Sequence, residues 1–127
     1  MRWINKYLNL LVLSISVITV VSGLSQAIAP EKVLSMIGVE GSPSASYFFG
    51  VVGMFMTLFG GLMVHVIYSP QPQKAAVFWC ALQKLAAFVA VTLGVVKGIF
   101  SLLALAVAFF DLFSGLVFLI YLKQDRK

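Results

Sequence analysis

Lys84 and Asp111 are opposite charges set inside the two longest apolar runs of the chain, and each lies equally far in sequence from the Lys97–Gly98 junction that separates those runs. An antiparallel helical hairpin folded at that junction would bring the two side chains to one depth, roughly 20 Å from its tip at about 1.5 Å per residue. In a hydrocarbon layer about 30 Å thick this is the interior, where a lone Lys or Asp costs on the order of 2.5–3.5 kcal/mol on insertion scales. Pairing is the expected way to hold both charges there. Such a pair can fix helix register as a buried ion pair, or it can serve as a proton relay or substrate site, because intramembrane ionisable groups commonly mark ion and substrate pathways. Both readings stay open on the sequence.

Two further polar residues belong to the candidate cluster: Gln83, beside Lys84, and Thr57, near the middle of a preceding apolar run. Gln83 can hydrogen-bond across a bundle or satisfy a neighbouring helix's hydroxyl, and Thr57 can reach the depth of the charged pair. His65 is the candidate for a titrating switch, although its place about one turn from the end of its run suits an imidazole that reaches headgroups or water. Cys80 reads as a small packing residue near the membrane surface. With His65, Cys80 and a distant carboxylate as the available donors, no metal-ligand spacing is present, so no metal is expected and no cofactor is implied. Met54, Met56 and Met63 read as packing. No catalytic triad, phosphate-cradling glycine loop or nucleotide fingerprint occurs at a spacing that chemistry requires, so no catalytic residue is assigned.

The elements that must position these residues follow from composition. Of the 127 residues 61% are hydrophobic and 10% charged, and the mean hydropathy is +1.05, against roughly 25% charged in soluble domains. This predicts an all-α integral membrane protein, a single transmembrane domain of four spans with no room for a soluble domain. A net charge of +5 would suggest nucleic acid in a soluble chain. Here the basic residues flank apolar runs and act as topology signals, so the bilayer and not nucleic acid is the expected partner.

Spans are expected at about 7–29, 47–68, 75–97 and 99–122. Pro30 stops the first, which has Trp3 and Tyr7 as interfacial anchors; its basic start and Ala27-Ile28-Ala29 also resemble a signal peptide, but the run is long for one and retention is favoured. Pro30 to Gly38 carries a helix-start proline and a helix-stop glycine, with Val33, Leu34 and Ile37 on one face, and predicts a short interfacial helix before a flexible Gly41–Ser44 stretch. Arg2, Lys6, Lys74, Lys123, Arg126 and Lys127 then fall on one side and Lys32 and Lys97 on the other, which places both termini in the cytoplasm of an inner-membrane protein.

Projected at 100° steps, the third span gathers Ala76, Cys80, Gln83, Lys84, Ala87, Ala90, Gly94 and Gly98 in one sector, with Leu85, Phe88 and Leu93 elsewhere. The fourth gathers Ser101, Ala104, Ala108, Asp111 and Gly115, opposite a rim that includes Phe109 and Phe113. These small-residue stripes are expected to face each other, because close backbone approach drives helix association in lipid. The second span gathers Gly50, Gly53, Met54, Thr57, Gly61, His65 and Tyr68. Ser14, Ser22 and Ser25 form a mild polar edge on the first, of the kind that bonds its own carbonyls.

The layout resembles the DoxX-like group of small four-span membrane proteins. The likeness is carried by the Ala29-Pro30 exit, Val33-Leu34-Ser35-Met36-Ile37-Gly38, Gly60-Gly61 and Phe110-Asp111-Leu112. The basic residue that many members carry early in the second span has no counterpart between Tyr47 and Gly53. The resemblance implies the fold, and associates some members with quinone-linked redox complexes. The expected function is a small accessory or assembly subunit that packs against itself or another membrane protein around the Lys84–Asp111 pair. The alternative is an oligomeric proton-coupled transporter of small apolar or cationic molecules. A membrane enzyme would need a polar cavity lined by Thr57, Gln83, Lys84 and Asp111.

Overall fold

The computed structural model describes residues 2–124, with side chains from Lys6 onward. The side chains of the expected anchor Trp3 and the basic Arg2, and the whole of the tail residues Asp125, Arg126 and Lys127, therefore lie outside what is described. Five helices follow in order: α1 (Arg2–Ile28), α2 (Pro30–Met36), α3 (Pro43–Ile67), α4 (Lys74–Val96) and α5 (Ala104–Gln124), with no strand among the described residues. Four of them, α1, α3, α4 and α5, are long and apolar enough to cross a membrane. The expected all-α membrane bundle of four helices, with a short helix between its first two spans, is the architecture observed.

Two boundaries move for local reasons. The third helix in sequence begins at Pro43 and not Tyr47, because Ser42 accepts a hydrogen bond from the Ala45 N–H and Pro43 sits at the first helical position; a cap and a preset φ turn the expected flexible stretch into a helix start. After α4 the chain does not re-enter a helix at Ile99. Gly98 adopts φ +78°, and the Ile99 and Phe100 N–H groups both return to the Gly94 carbonyl at 2.9 and 3.2 Å. Ser101 then donates from its N–H and its hydroxyl to the Ile37 carbonyl at the end of α2, at 3.0 and 2.9 Å. The fourth span starts at Ala104, five residues later than the apolar pattern of Ile99–Leu103 suggests. In the same turn the Phe100 ring covers Gly94, so Gly94 and Gly98 do not form a helix-contact face.

The long helices associate as two antiparallel pairs, α1 with α3 and α4 with α5, and the pairs touch each other far less. Glycines set the first pair. A Cβ on Gly53 would lie 2.7 Å from the Gly23 carbonyl, and one on Gly60 would lie 3.0 Å from the Ser16 carbonyl, so the backbones are in direct contact as membrane packing favours. The face of α3 that meets α1 therefore runs through Gly53, Thr57 and Gly60. The expected face through Met54, Gly61, His65 and Tyr68 is turned outward.

Where the pairs do meet, the core comprises Val12 and Ile15 of α1, Met63 and Val66 of α3, Val77, Cys80 and Ala81 of α4, and Val117 and Phe118 of α5. All lie toward the end of the bundle that carries the α3–α4 turn. Along the same helix faces toward the α2 end, burial is lost: Met63 at 1% exposure gives way to Val52 at 52%, and Ser114 at 0% to Val107 at 45%. The pairs diverge there and are rejoined at the rim by the Ser101–Ile37 hydrogen bonds.

Gly53→Leu should overpack the α1–α3 contact at about 1–3 kcal/mol, lowering both membrane accumulation and the thermal midpoint in mild detergent. Gly61→Leu, whose added Cβ has nothing within 4 Å, should leave both unchanged.

Candidate functional site

Lys84 lies near the middle of α4 and is buried, and Asp111 lies two turns into α5. Small residues bring the two helices close: Ala81 and Gly115 are buried at the contact, and a Cβ on Gly115 would meet Leu85 at 2.6 Å. Leu85 therefore faces α5, as does Phe88, whose ring stacks obliquely on Phe109 at 6.3 Å. This corrects the narrow small-residue sector expected for α4. The helix is flanked by α5 on one side and by the α1–α3 pair on the other, so its buried arc is wider than one stripe.

The Lys84 Nζ donates to Asp111 Oδ1 at 3.4 Å and to Thr19 Oγ1 at 2.7 Å, and stands 5.1 Å from the centroid of the Phe110 ring. An ammonium has three protons and no acceptor capacity, and these partners supply three directions of negative potential, the ring face included. Thr19 is suited to accept because its own proton is spent on the Ile15 carbonyl at 2.9 Å. The contact to Thr19 is the shorter one, while 3.4 Å is long for a charge-assisted bond. The ammonium thus joins both pairs of helices, α5 through Asp111 and α1 through Thr19.

Thr19 escaped the sequence reading. It belongs to the buried face Val12, Ile15, Ser16, Thr19, Gly23 and Gln26, whose helical spacing was the available signal. Ser14, Ser22 and Ser25 lie on the exposed side, and the Ser14 and Ser25 hydroxyls bond the Leu10 and Val21 carbonyls of their own helix.

The other candidates separate. Thr57 donates to the Gly53 carbonyl at 2.9 Å and lies against Gly23, so it serves the α1–α3 contact and not the charged pair. His65 is exposed in the last turn of α3. Cys80 is a packing residue, as expected: it is 1% exposed, one turn from Lys84 in the apolar core. Gln83 lines a narrow crevice with Ser16, Thr19, Phe59, Met63 and Cys80, about 180 Å³ out to its open mouth and too tight to seat a water molecule. Among the described residues the Gln83 amide makes no hydrogen bond. Thr92, two turns beyond Lys84, has a buried hydroxyl without a partner. No group of three or more His, Cys, Asp or Glu side chains converges among the described residues.

No protein-family model matches this chain, and no curated protein or solved structure matches it.

Two threonines on buried surfaces should respond oppositely to removal of the hydroxyl. Thr19→Val deprives the ammonium of its shortest contact and should destabilise the protein by about 1–3 kcal/mol, read as a lower thermal midpoint in detergent. Thr92→Val removes an unsatisfied hydroxyl at constant shape and should leave that midpoint unchanged or raise it.

Proposed function

We propose that this small multi-pass membrane protein is an accessory or assembly subunit of the inner membrane, with both termini cytoplasmic, that acts through helix packing with itself or another membrane protein. The observation that carries the reading is the double engagement of Lys84, which bonds Thr19 of one helix pair and Asp111 of the other. An ion pair placed at the seam of two subassemblies has the geometry of a register device. The crevice beside it has no room for a substrate, which supports packing over catalysis. The unequal distribution of basic residues supports the orientation. The likeness to the DoxX-like group, carried by the Ala29-Pro30 exit and the Phe110-Asp111-Leu112 segment, belongs to the same proposal.

One observation favours the transporter as a second reading: the Asp111 side chain keeps 13% exposure while that of Lys84 keeps 4%, so the carboxylate stands at the edge where the helix pairs diverge. Purified protein in liposomes that moves neither protons nor small organic cations between about pH 5 and pH 8, the range a proton-coupled site must work in, would remove it.

The packing role predicts compensation. Asp111→Asn and Lys84→Gln each leave one buried charge without its counter-charge, at about 3–5 kcal/mol, and each should lower the steady-state amount in membranes several-fold. The double variant should restore most of it. Single variants that accumulate normally and lose only a transport activity would reverse the assignment.

A further inference from the structure

The amide of Gln83 is a polar group near the middle of a spanning helix, half-buried in the lining of the crevice and unpartnered among the described residues. Acyl chains offer it neither donor nor acceptor, and the headgroup layer begins about 15 Å away, beyond the reach of a glutamine side chain. The group must therefore be satisfied by another polypeptide at the same depth. We propose that its partner is the Gln83 of a second copy of this chain, so that α4 packs against α4 across a twofold axis normal to the membrane.

Three features select a second copy. A carboxamide is donor and acceptor at once, so two of them pair reciprocally across a twofold axis, where every contact occurs twice. Copies inserted in one orientation place Gln83 at identical depth, which an unrelated helix does only by coincidence. The surroundings also admit a helix: Ala86 and Ala90 are exposed and Ala87 half-buried on the Gln83 side of α4, and α3 turns away here, with Val52 exposed. The alanines permit close backbone approach, and the amide supplies the reason for it. The inference rests on the packing role proposed above and names its partner and face. Lys84 stays behind this surface, bonded within its own chain.

Disulfide trapping in native membranes tests it. In a Cys80→Ala background, Ala86→Cys or Ala90→Cys should give, on oxidation with copper phenanthroline, a cross-linked species of twice the monomer mass. Its yield should be at least ten-fold above that of Ile120→Cys on the lipid-facing side of α5. Gln83→Leu should cut the yield about ten-fold without changing accumulation, and Gln83→Asn should retain most of it. Ala86→Leu, which fills the exposed face and leaves the amide intact, should reduce trapping at Ala90→Cys to a similar degree, so the face is probed even where Gln83→Leu accumulates poorly. No trapping above the Ile120→Cys level, trapping indifferent to Gln83→Leu, or a cross-link to a protein of another mass would each overturn the second copy as occupant. The packing role itself fails separately, in the Lys84 and Asp111 variants.

Discussion

A lysine ammonium near the middle of a spanning helix has three protons to satisfy inside the protein, because lipid accepts none of them. In this chain the solution draws on α1, α5 and an aromatic face: Thr19 at 2.7 Å, Asp111 at 3.4 Å and the Phe110 ring at 5.1 Å. The shortest of these contacts comes from the helix farthest away in sequence. A hydrophobic contact would tolerate rotation of one helix pair against the other, whereas a charge bonded on both sides does not. In the packing role proposed above, Lys84 fixes the register of an otherwise apolar seam, and loss of either partner leaves its position uncompensated.

Much of this was legible in the residues, and the exceptions share a physical cause. Hydropathy identifies the spans because a bilayer demands long apolar helices and little else. The meeting of Lys84 with Asp111 also follows from spacing, though not for the simple reason of a sharp turn at Lys97–Gly98. The connection consumes Lys97 to Leu103, and Phe100 folds back over Gly94, so the two charges meet from helices whose near ends are staggered. Ile99–Leu103 reads as helix because apolar composition does not distinguish a span from a loop that folds onto one. The interruption is set by the positive φ of Gly98 and by the Ile37 carbonyl that captures Ser101.

Thr19 and Thr57 illustrate the limit of a one-helix projection. Both are threonines in apolar helices whose hydroxyls return to a carbonyl four residues back, and nothing local separates them. Their roles diverge because α1 turns Thr19 toward the seam between pairs, while α3 turns Thr57 into the close glycine contact with α1. The difference is decided by which neighbour each helix acquires. In lipid that choice depends on shape and polar complementarity between helices far apart in sequence.

The uneven burial along the bundle follows from the same division into pairs. The apolar core is confined to the end that carries the α3–α4 turn, and the charged node closes that core at its upper edge. Each pair has its own close contacts through small residues, Gly23 with Gly53 between α1 and α3 and Gly115 with Leu85 between α4 and α5, so neither pair depends on the other along its whole length. The Ser101–Ile37 hydrogen bonds limit how far they can separate. A bundle fastened at the rim and at mid-depth, and open between, presents a lateral surface that lipid or another helix must fill, because a void in the bilayer forfeits the dispersion contacts of its walls. Gln83 borders that surface near the depth of the node, where the proposed partner helix would be held to one register by the same bilayer constraint that holds Lys84.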